Sequence, residues 1–314
     1  MGKVLAVLGS TGQQGSGVVD YVTHDPELSK QWKVRAITRN VDSDKAKALK
    51  EKAEVVQGDA TDRASFVKAL KGVHTLFAMT TPVFGVEDPL EAEFQVIKTI
   101  ADVAVEQGIQ YLIFSTLPSC RDISNGKYNA VTPFDAKAKG KEYIETLPIK
   151  SSFYCPGSFM ENFASQAMLA PRPDPNQKDT WAFTRNMTPE TEMPLIDAIG
   201  DGGKWVGAIL MEPGKYEGKT ICAATRMYSL KEMAAALSKS TGKNVVYKQV
   251  SNEEFANSLP TMVADLFVDY FGYINDYGYY GLGTAEKVEW GAKQARGKLS
   301  TFEEFLERHP YKLE

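Results

Sequence analysis

Short apolar runs alternate with longer helical patterns over the first 155 residues, and this alternation constrains the fold more than any other feature. Six runs have the length and composition of strands, at residues 4–8, 34–38, 54–57, 75–79, 111–115 and 152–154. Between them, residues 42–52, 62–70 and 88–107 place apolar side chains at helical spacing. Since continuous apolar strands indicate helices on both faces of a parallel sheet, we predict an α/β domain with a doubly wound sheet over residues 1–155.

The alternation lapses after residue 155, and we predict a smaller, interleaved α+β lobe over residues 156–314 that holds a substrate or a partner. Residues 220–224 and 244–249 are the predicted late strands, and either one would return to the first sheet. Residues 171–175 predict a loop, because three prolines in five residues cannot sustain a helix. Three serines that precede a glutamate by three residues predict late helix starts, at Ser229-x-x-Glu232, Ser251-x-x-Glu254 and Ser300-x-x-Glu303.

Composition excludes several classes of protein. The 314 residues contain 36 Lys and Arg against 40 Asp and Glu, and this net charge of −4 argues against direct binding to nucleic acid or to an anionic membrane. The three cysteines are far apart in the sequence, which predicts neither a disulfide framework nor a metal site. No apolar run approaches the ~18 to 20 residues of a membrane span, and no signal peptide is recognisable. We therefore expect a soluble, cytoplasmic protein.

A glycine-rich segment lies between the first strand and a helical pattern. Gly9 permits a tight turn, Gly12 lets backbone approach a phosphate, and Gly15 lets helix and strand pack closely. The unpaired N–H groups of the following helix make an anion site. The segment predicts a Rossmann-type dinucleotide site, and the alternative is a glycine-rich turn without a ligand. Its predicted contacts to the dinucleotide are Gly9, Thr11, Gly12, Gln13, Gln14 and Gly15.

Residues at the ends of the second and third strands indicate which dinucleotide cofactor the site would bind. An NAD site normally offers an acidic residue to the ribose hydroxyls at the end of the second strand, where this chain has Arg39. A planar cation suits a 2′-phosphate, so the position favours NADP(H), and the alternative is a surface arginine. After the third strand, Asp59 is predicted to accept a hydrogen bond from the adenine amino group, and Ala60 beside it is a predicted cofactor-binding residue. A turn or helix-cap role for Asp59 is equally compatible with the sequence.

Ligands of doubly wound sheets bind at the carboxyl ends of the strands, which makes Thr80, Thr81, Ser115, Pro156 and Phe159 predicted pocket walls. For Thr80 and Ser115 the alternative is a hydrogen bond to local backbone.

Lys137 lies in a helical pattern after the fifth strand, at the predicted cofactor crevice. A lysine there is able to hydrogen-bond the ribose or transfer a proton, and the residues alone favour a solvated surface lysine. An aromatic cluster over residues 267–280 either closes an apolar pocket over the nicotinamide or packs in the core. The three histidines lack metal-ligand spacing and no G-x-S-x-G motif is present, so neither zinc catalysis nor a serine nucleophile is predicted.

Together these motifs resemble the NmrA-like family of atypical short-chain dehydrogenases, over nearly the whole chain. The resemblance rests on the glycine segment, Thr38-Arg39-Asn40, Gly58-Asp59, Phe134-x-x-Lys137, the segment 156–163 and Phe302-x-x-Phe305-Leu306. It implies a Rossmann domain that prefers NADP(H) and a small second lobe. It also implies a functional Lys137, since related isoflavone-reductase-like enzymes are thought to use a lysine at this position near the nicotinamide.

One departure from typical short-chain dehydrogenases bears on the chemistry. Those enzymes carry Tyr-x-x-x-Lys, whereas Pro133 stands four residues before Lys137, an absence that is usual in NmrA-like proteins. The resemblance implies two hypotheses, of which we favour the first. The chain is an NADPH-dependent oxidoreductase that reduces a carbonyl, quinone or imine, with Lys137 as the catalytic residue. Alternatively, it is a non-catalytic NADP(H) sensor, cytoplasmic or nuclear, that binds a protein such as a transcription factor through loops flanking the cofactor.

Overall fold

A computed structural model describes residues 2–313 of the protein. Strands are numbered in chain order as β1 Lys3–Leu8, β2 Trp32–Thr38, β3 Glu54–Gln57, β4 Thr75–Ala78, β5 Tyr111–Ser115, β6 Lys150–Pro156, β7 Ser158–Phe159, β8 Arg172–Pro173, β9 Thr180–Arg185, β10 Glu192–Ile196, β11 Thr220–Ala223, β12 Arg226–Ser229 and β13 Asn244–Gln249.

The α-helices are α1 Gln13–His24, α2 Leu28–Gln31, α3 Asp44–Leu49, α4 Arg63–Ala69, α5 Pro89–Glu106, α6 Cys120–Ile123, α7 Thr132–Glu145, α8 Asn162–Ser165, α9 Gly202–Met211, α10 Pro213–Tyr216, α11 Leu230–Thr241, α12 Asn252–Asn257, α13 Thr261–Tyr277, α14 Thr284–Ala292 and α15 Phe302–Arg308. A 3₁₀ turn spans Ala167–Leu169. Within residues 2–313, no helix is long and apolar enough to cross a membrane.

A parallel sheet in the order β11-β6-β5-β4-β1-β2-β3 forms the centre of the fold. This α/β, doubly wound Rossmann arrangement confirms the predicted fold class and all six early strands. The predicted late strand at 220–224 is β11, which returns to this sheet beside β6. From β1 the strand order continues to β2 and β3 on one side of the sheet, and from β4 it continues to β5 and β6 on the other side. Folds of this kind bind ligands in the crevice between the carboxyl ends of β1 and β4.

Helices cover both faces of the sheet because its strands are apolar on both sides. Along β1, Leu5 and Val7 belong to a core cluster that contains α1 and α9, whereas Ala6 and Leu8 belong to the cluster that contains α4 and α5. This alternation is the period of two that a strand imposes. On the second face, α5 packs closely on α7: a Cβ added at Gly140 would lie 2.6 Å from the Ile97 Cγ2 atom.

The second half of the chain adds two small sheets, ordered β12-β10-β7 and β13-β9-β8, and a third core cluster. Strand β13, predicted at 244–249, pairs with β9 and not with the central sheet. The segment 171–175 was wrongly predicted as loop throughout, since β8 pairs antiparallel with β9. A proline is tolerated there because β8 is an edge strand.

Two of the three predicted capping boxes are confirmed, at the starts of α11 and α12. The third prediction was wrong by one residue, because Thr301 and Glu304 cap α15 in place of Ser300 and Glu303. The backbone N–H of Ser300 donates instead to Asp201 Oδ2 at 2.6 Å. This tertiary hydrogen bond therefore occupies the Ser300 N–H, and the overlapping pattern Thr301-x-x-Glu304 caps the helix.

Candidate functional site

A cavity of about 490 Å³ opens at the carboxyl ends of the central strands. Its wall includes many of the predicted site residues, namely Gly12, Gln13, Gln14, Thr80, Thr81, Ser115, Lys137, Pro156 and Phe159. The other predicted residues lie outside this cavity, in the turn after β1, in the first turn of α1 or just beyond β2 and β3, namely Gly9, Thr11, Gly15, Arg39, Asp59 and Ala60. The sequence therefore identified one wall of the cavity and an adjoining sheet edge.

The glycine turn after β1 has the geometry that its spacing predicts. Gly9 has φ of +70°, and its carbonyl oxygen accepts the Gly12 N–H at 2.9 Å. A Cβ added at Gly15 would lie 2.3 Å from the Gly9 oxygen, so only glycine allows this approach of α1. No side chain caps the start of α1 at Gly12. The helix therefore keeps its first N–H groups and positive dipole end available to an anion.

Arg39 is exposed just beyond the end of β2, and β2 pairs with β1 through Leu8 and Ile37. The guanidinium is thus carried at the same sheet edge as the glycine turn. Asp59 lies beyond β3, where its Oδ1 accepts from the Thr61 N–H at 2.9 Å and the Thr61 hydroxyl at 2.8 Å. The structure thus shows the turn role for Asp59 that the sequence left open, and Ala60 beside it is buried.

Lys137 is buried, with 5% of its surface exposed, and its Nζ donates to Glu93 Oε1. Glu93 is 1% exposed and also accepts from the Thr80 hydroxyl, at an Oγ1–Oε1 distance of 2.6 Å. One carboxylate on α5 therefore holds two groups of the cavity wall. The surface position that the residues alone favoured for Lys137 is wrong: the packing of α5 on α7 removes this side chain from solvent.

Sequence reasoning did not single out Glu93, because a glutamate within a helix usually belongs to a solvated face. A signal was nevertheless present. Glu93 lies four residues before Ile97, and 97, 100, 101 and 104 are buried positions of α5, so helical spacing puts Glu93 on the buried face. A buried carboxylate requires a partner, and the pair is costly to break because the remaining charge is left uncompensated.

Two further hydrogen bonds hold the wall in place. The Ser115 hydroxyl donates to Gln14 Oε1 at 2.7 Å, which ties the end of β5 to the start of α1. The Thr116 hydroxyl donates to the Lys137 carbonyl oxygen at 3.1 Å, which fixes the backbone of α7. Both bonds are buried, and such bonds orient a site because their partners have no water to replace them.

The opposite wall of the cavity is apolar and aromatic. Phe267, Tyr270, Phe271 and Tyr279 of the predicted aromatic cluster line it, whereas Tyr273 and Tyr280 pack in the core outside the cavity. Some members of the cluster therefore line the cavity and others pack in the core, and the closure of this pocket over a nicotinamide stays a prediction. Burial raises the pKa values of Tyr270 and Tyr279, so these phenols stay protonated at neutral pH.

Comparison with known proteins identifies similar chains. The model of the NmrA-like family matches residues 1–306. An NmrA-like family domain-containing protein of Dictyostelium discoideum is 28% identical over 322 residues, which cover 100% of both chains. The NmrA-like family domain-containing oxidoreductase FrzB of Cladobotryum sp is 29% identical over 270 residues, which cover 79% of this chain and 76% of FrzB.

Solved structures share the fold. NmrA, a negative transcriptional regulator in complex with NADP, superposes with a TM-score of 0.77 at 21% identity, covering 98% of this chain and 97% of NmrA. The NADPH-dependent quinone oxidoreductase QOR2 of Escherichia coli, complexed with NADPH, superposes with a TM-score of 0.73 at 20% identity, covering 97% of this chain and 99% of QOR2. At these identities the structural similarity establishes the fold.

Proposed function

The chain belongs to the NmrA-like family, and from this premise we propose that it is an NADP(H)-dependent oxidoreductase that reduces a carbonyl, quinone or imine. The observation that carries the proposal is Lys137, a lysine buried against Glu93 in the wall of an apolar cavity. Named relatives support it, since FrzB is called an oxidoreductase and QOR2 is an NADPH-dependent quinone oxidoreductase.

The residues present fit a dinucleotide. The close approach of Gly15 to Gly9 and the uncapped start of α1 make a cradle that a side chain would fill, and this cradle suits the pyrophosphate. Arg39 would bind the 2′-phosphate through its planar guanidinium. Thr80, Ser115 and Lys137 line the cavity beyond the turn and would adjoin the ribose and nicotinamide.

In this proposal a bound nicotinamide supplies the hydride to the carbon of the substrate's polarised double bond. Lys137 binds the substrate's oxygen or nitrogen and gives it a proton as negative charge develops there. Glu93 acts through Lys137: its carboxylate accepts the hydrogen bond from Nζ and so orients the ammonium. Aromatic side chains of the opposite wall exclude water from the reacting atoms.

A second function is favoured by one surface feature. The segment 79–88 borders the cavity and exposes Phe84 and Val86, each 48% exposed. Large apolar side chains exposed together are typical of protein-binding surfaces. In the sensor hypothesis, a loop of this kind reorganises when NADPH binds. The loop then binds a protein partner, and no substrate is turned over.

Turnover measurements separate the two functions. We expect NADPH oxidation by the purified protein with at least one member of a panel of quinones, aldehydes and cyclic imines. NADP⁺ should also raise the melting temperature, because a ligand that binds only the folded state stabilises it. A rise in melting temperature without turnover on any panel member favours the sensor, and the absence of both contradicts NADP(H) binding.

Replacing Arg39 with alanine is expected to weaken NADPH binding about 10- to 100-fold, since a charge-assisted contact to the 2′-phosphate contributes about 1.5–3 kcal/mol. NADH lacks this phosphate, so its affinity should change little, and it is the control within the same variant. Isothermal titration calorimetry with both coenzymes measures the difference. Equal weakening of both coenzymes contradicts the phosphate role of Arg39.

A further inference from the structure

Arg185 is a buried cation of the cavity wall that the proposed reaction does not use. It is the last residue of β9 and is 6% exposed. Its Nη1 donates to the Thr184 carbonyl at 2.6 Å, and its Nη2 donates to the Leu169 carbonyl at 2.8 Å. These two bonds anchor the guanidinium at its two terminal nitrogens, so the backbone fixes its plane.

Aromatic rings hold the same group. The guanidinium carbon lies 4.5 Å from the ring centroid of Phe183, 5.0 Å from that of Phe271 and 5.9 Å from that of Phe255. Contacts of this kind attract a cation and exclude water from it. Phe183, Phe271 and Arg185 all line the cavity. The cation is therefore preorganised beside the space that a substrate would occupy.

The charge of Arg185 is not balanced by the residues described. Its recorded acceptors are neutral carbonyls, and no Asp or Glu side chain in residues 2–313 forms an ion pair with it. Burial lowers its pKa to about 10, which leaves the group charged at neutral pH. The other cation of the cavity wall, Lys137, is already paired with Glu93. The cavity thus contains one net positive charge, and burying such a charge is costly without an anion.

We propose that Arg185 binds a carboxylate of the substrate, so that the substrate class is a largely apolar molecule with an acidic group. The inference rests on the proposed function and names its substrate class. The two carbonyls take two of the five guanidinium N–H groups, and the remaining N–H groups match the two oxygens of a carboxylate. The rest of this wall is apolar and suits an apolar body, with Phe163, Leu169, Met193, Leu195, Met233 and Phe267.

The test compares 2-naphthoate with its neutral analogue 2-naphthamide by calorimetry. The protein saturated with NADP⁺ should bind the acid about tenfold or more tightly than the amide, because a hydrogen bond to a charged group contributes about 1.5–3 kcal/mol. Arg185→Met should remove this preference and retain binding of the amide. Arg172→Met is the matched control: Arg172 is exposed on β8, which pairs with β9, and this variant should keep the preference.

Two measurements keep the inference testable if Arg185→Met does not fold. The comparison of acid with amide needs only the unaltered protein, and equal affinities there overturn the proposal. Arg185→Lys keeps the charge and loses the fork, so it should retain part of the preference. A folded Arg185→Met variant that still prefers the acid also overturns the proposal. The same titrations of acid and amide without NADP⁺ show whether the preference depends on the coenzyme. A failure of NADP⁺ to bind would count against the proposed function and not against the role of Arg185.

Discussion

Replacing Lys137 with methionine is expected to lower kcat for NADPH oxidation about 10²- to 10⁴-fold, the range typical of a lost general acid. Methionine fills much of the space of the lysine but supplies no proton and no charge. The dissociation constant of NADP⁺ should change far less, because the glycine turn and Arg39 supply most of the proposed contacts to the coenzyme. Steady-state kinetics with a reactive quinone or aldehyde, together with calorimetry of NADP⁺, measure the two effects.

Lys139 provides a matched control on the same helix. It is exposed and pairs with Glu91, so Lys139→Met should leave kcat near that of the unaltered protein. The double variant Lys137→Met/Glu93→Gln removes the buried carboxylate's charge as well and should recover stability lost in the single variant. Its turnover should nevertheless remain low. Full turnover by a folded Lys137→Met variant contradicts the catalytic role of Lys137.

Much of the fold follows from local pattern. Six strands of the central sheet are short, mostly apolar runs, and the glycines after β1 are spaced for a tight turn and a close helix, so neighbouring residues suffice to predict them. The return of β11 was one of two open alternatives for the late strands. Contacts between distant segments decide which late strand joins the central sheet: β11 pairs with β6 of that sheet, whereas β13 pairs with β9.

The groups that local pattern could not assemble are those joined by tertiary packing. Glu93 and Lys137 are 44 residues apart, and the packing of α5 on α7 brings them together. Arg185 is similar, because its buried position depends on Leu169 and on rings from α12 and α13. Each of these charges is costly to bury, and the sequence does not show which segment supplies the compensating contact. The aromatic cluster was recognised, but its division between cavity and core was not.

Gly15→Ala is expected to weaken NADP⁺ binding about 100-fold and to destabilise the protein by about 1–3 kcal/mol, the usual cost of overpacking. The added Cβ would lie 2.3 Å from the Gly9 carbonyl oxygen and 2.8 Å from the Ser10 Cα atom, both of which belong to the backbone of the turn. Since a rigid turn cannot move aside as a flexible side chain would, α1 must shift. The N–H groups proposed to bind the pyrophosphate then lose their alignment, and several charge-assisted hydrogen bonds weaken together.

Gly214 separates this effect from the general cost of changing a glycine. It lies in α10, and within residues 2–313 no atom would lie within 4 Å of its added Cβ, apart from its two chain neighbours and the nearby backbone of its own helix. Gly214→Ala should therefore keep NADP⁺ affinity and should not lower the free energy of unfolding, because alanine is favoured over glycine in helices. Calorimetry and denaturant unfolding of both variants measure the contrast. A folded Gly15→Ala variant with unchanged NADP⁺ affinity would show that the coenzyme binds elsewhere, since its pyrophosphate would then not depend on this turn.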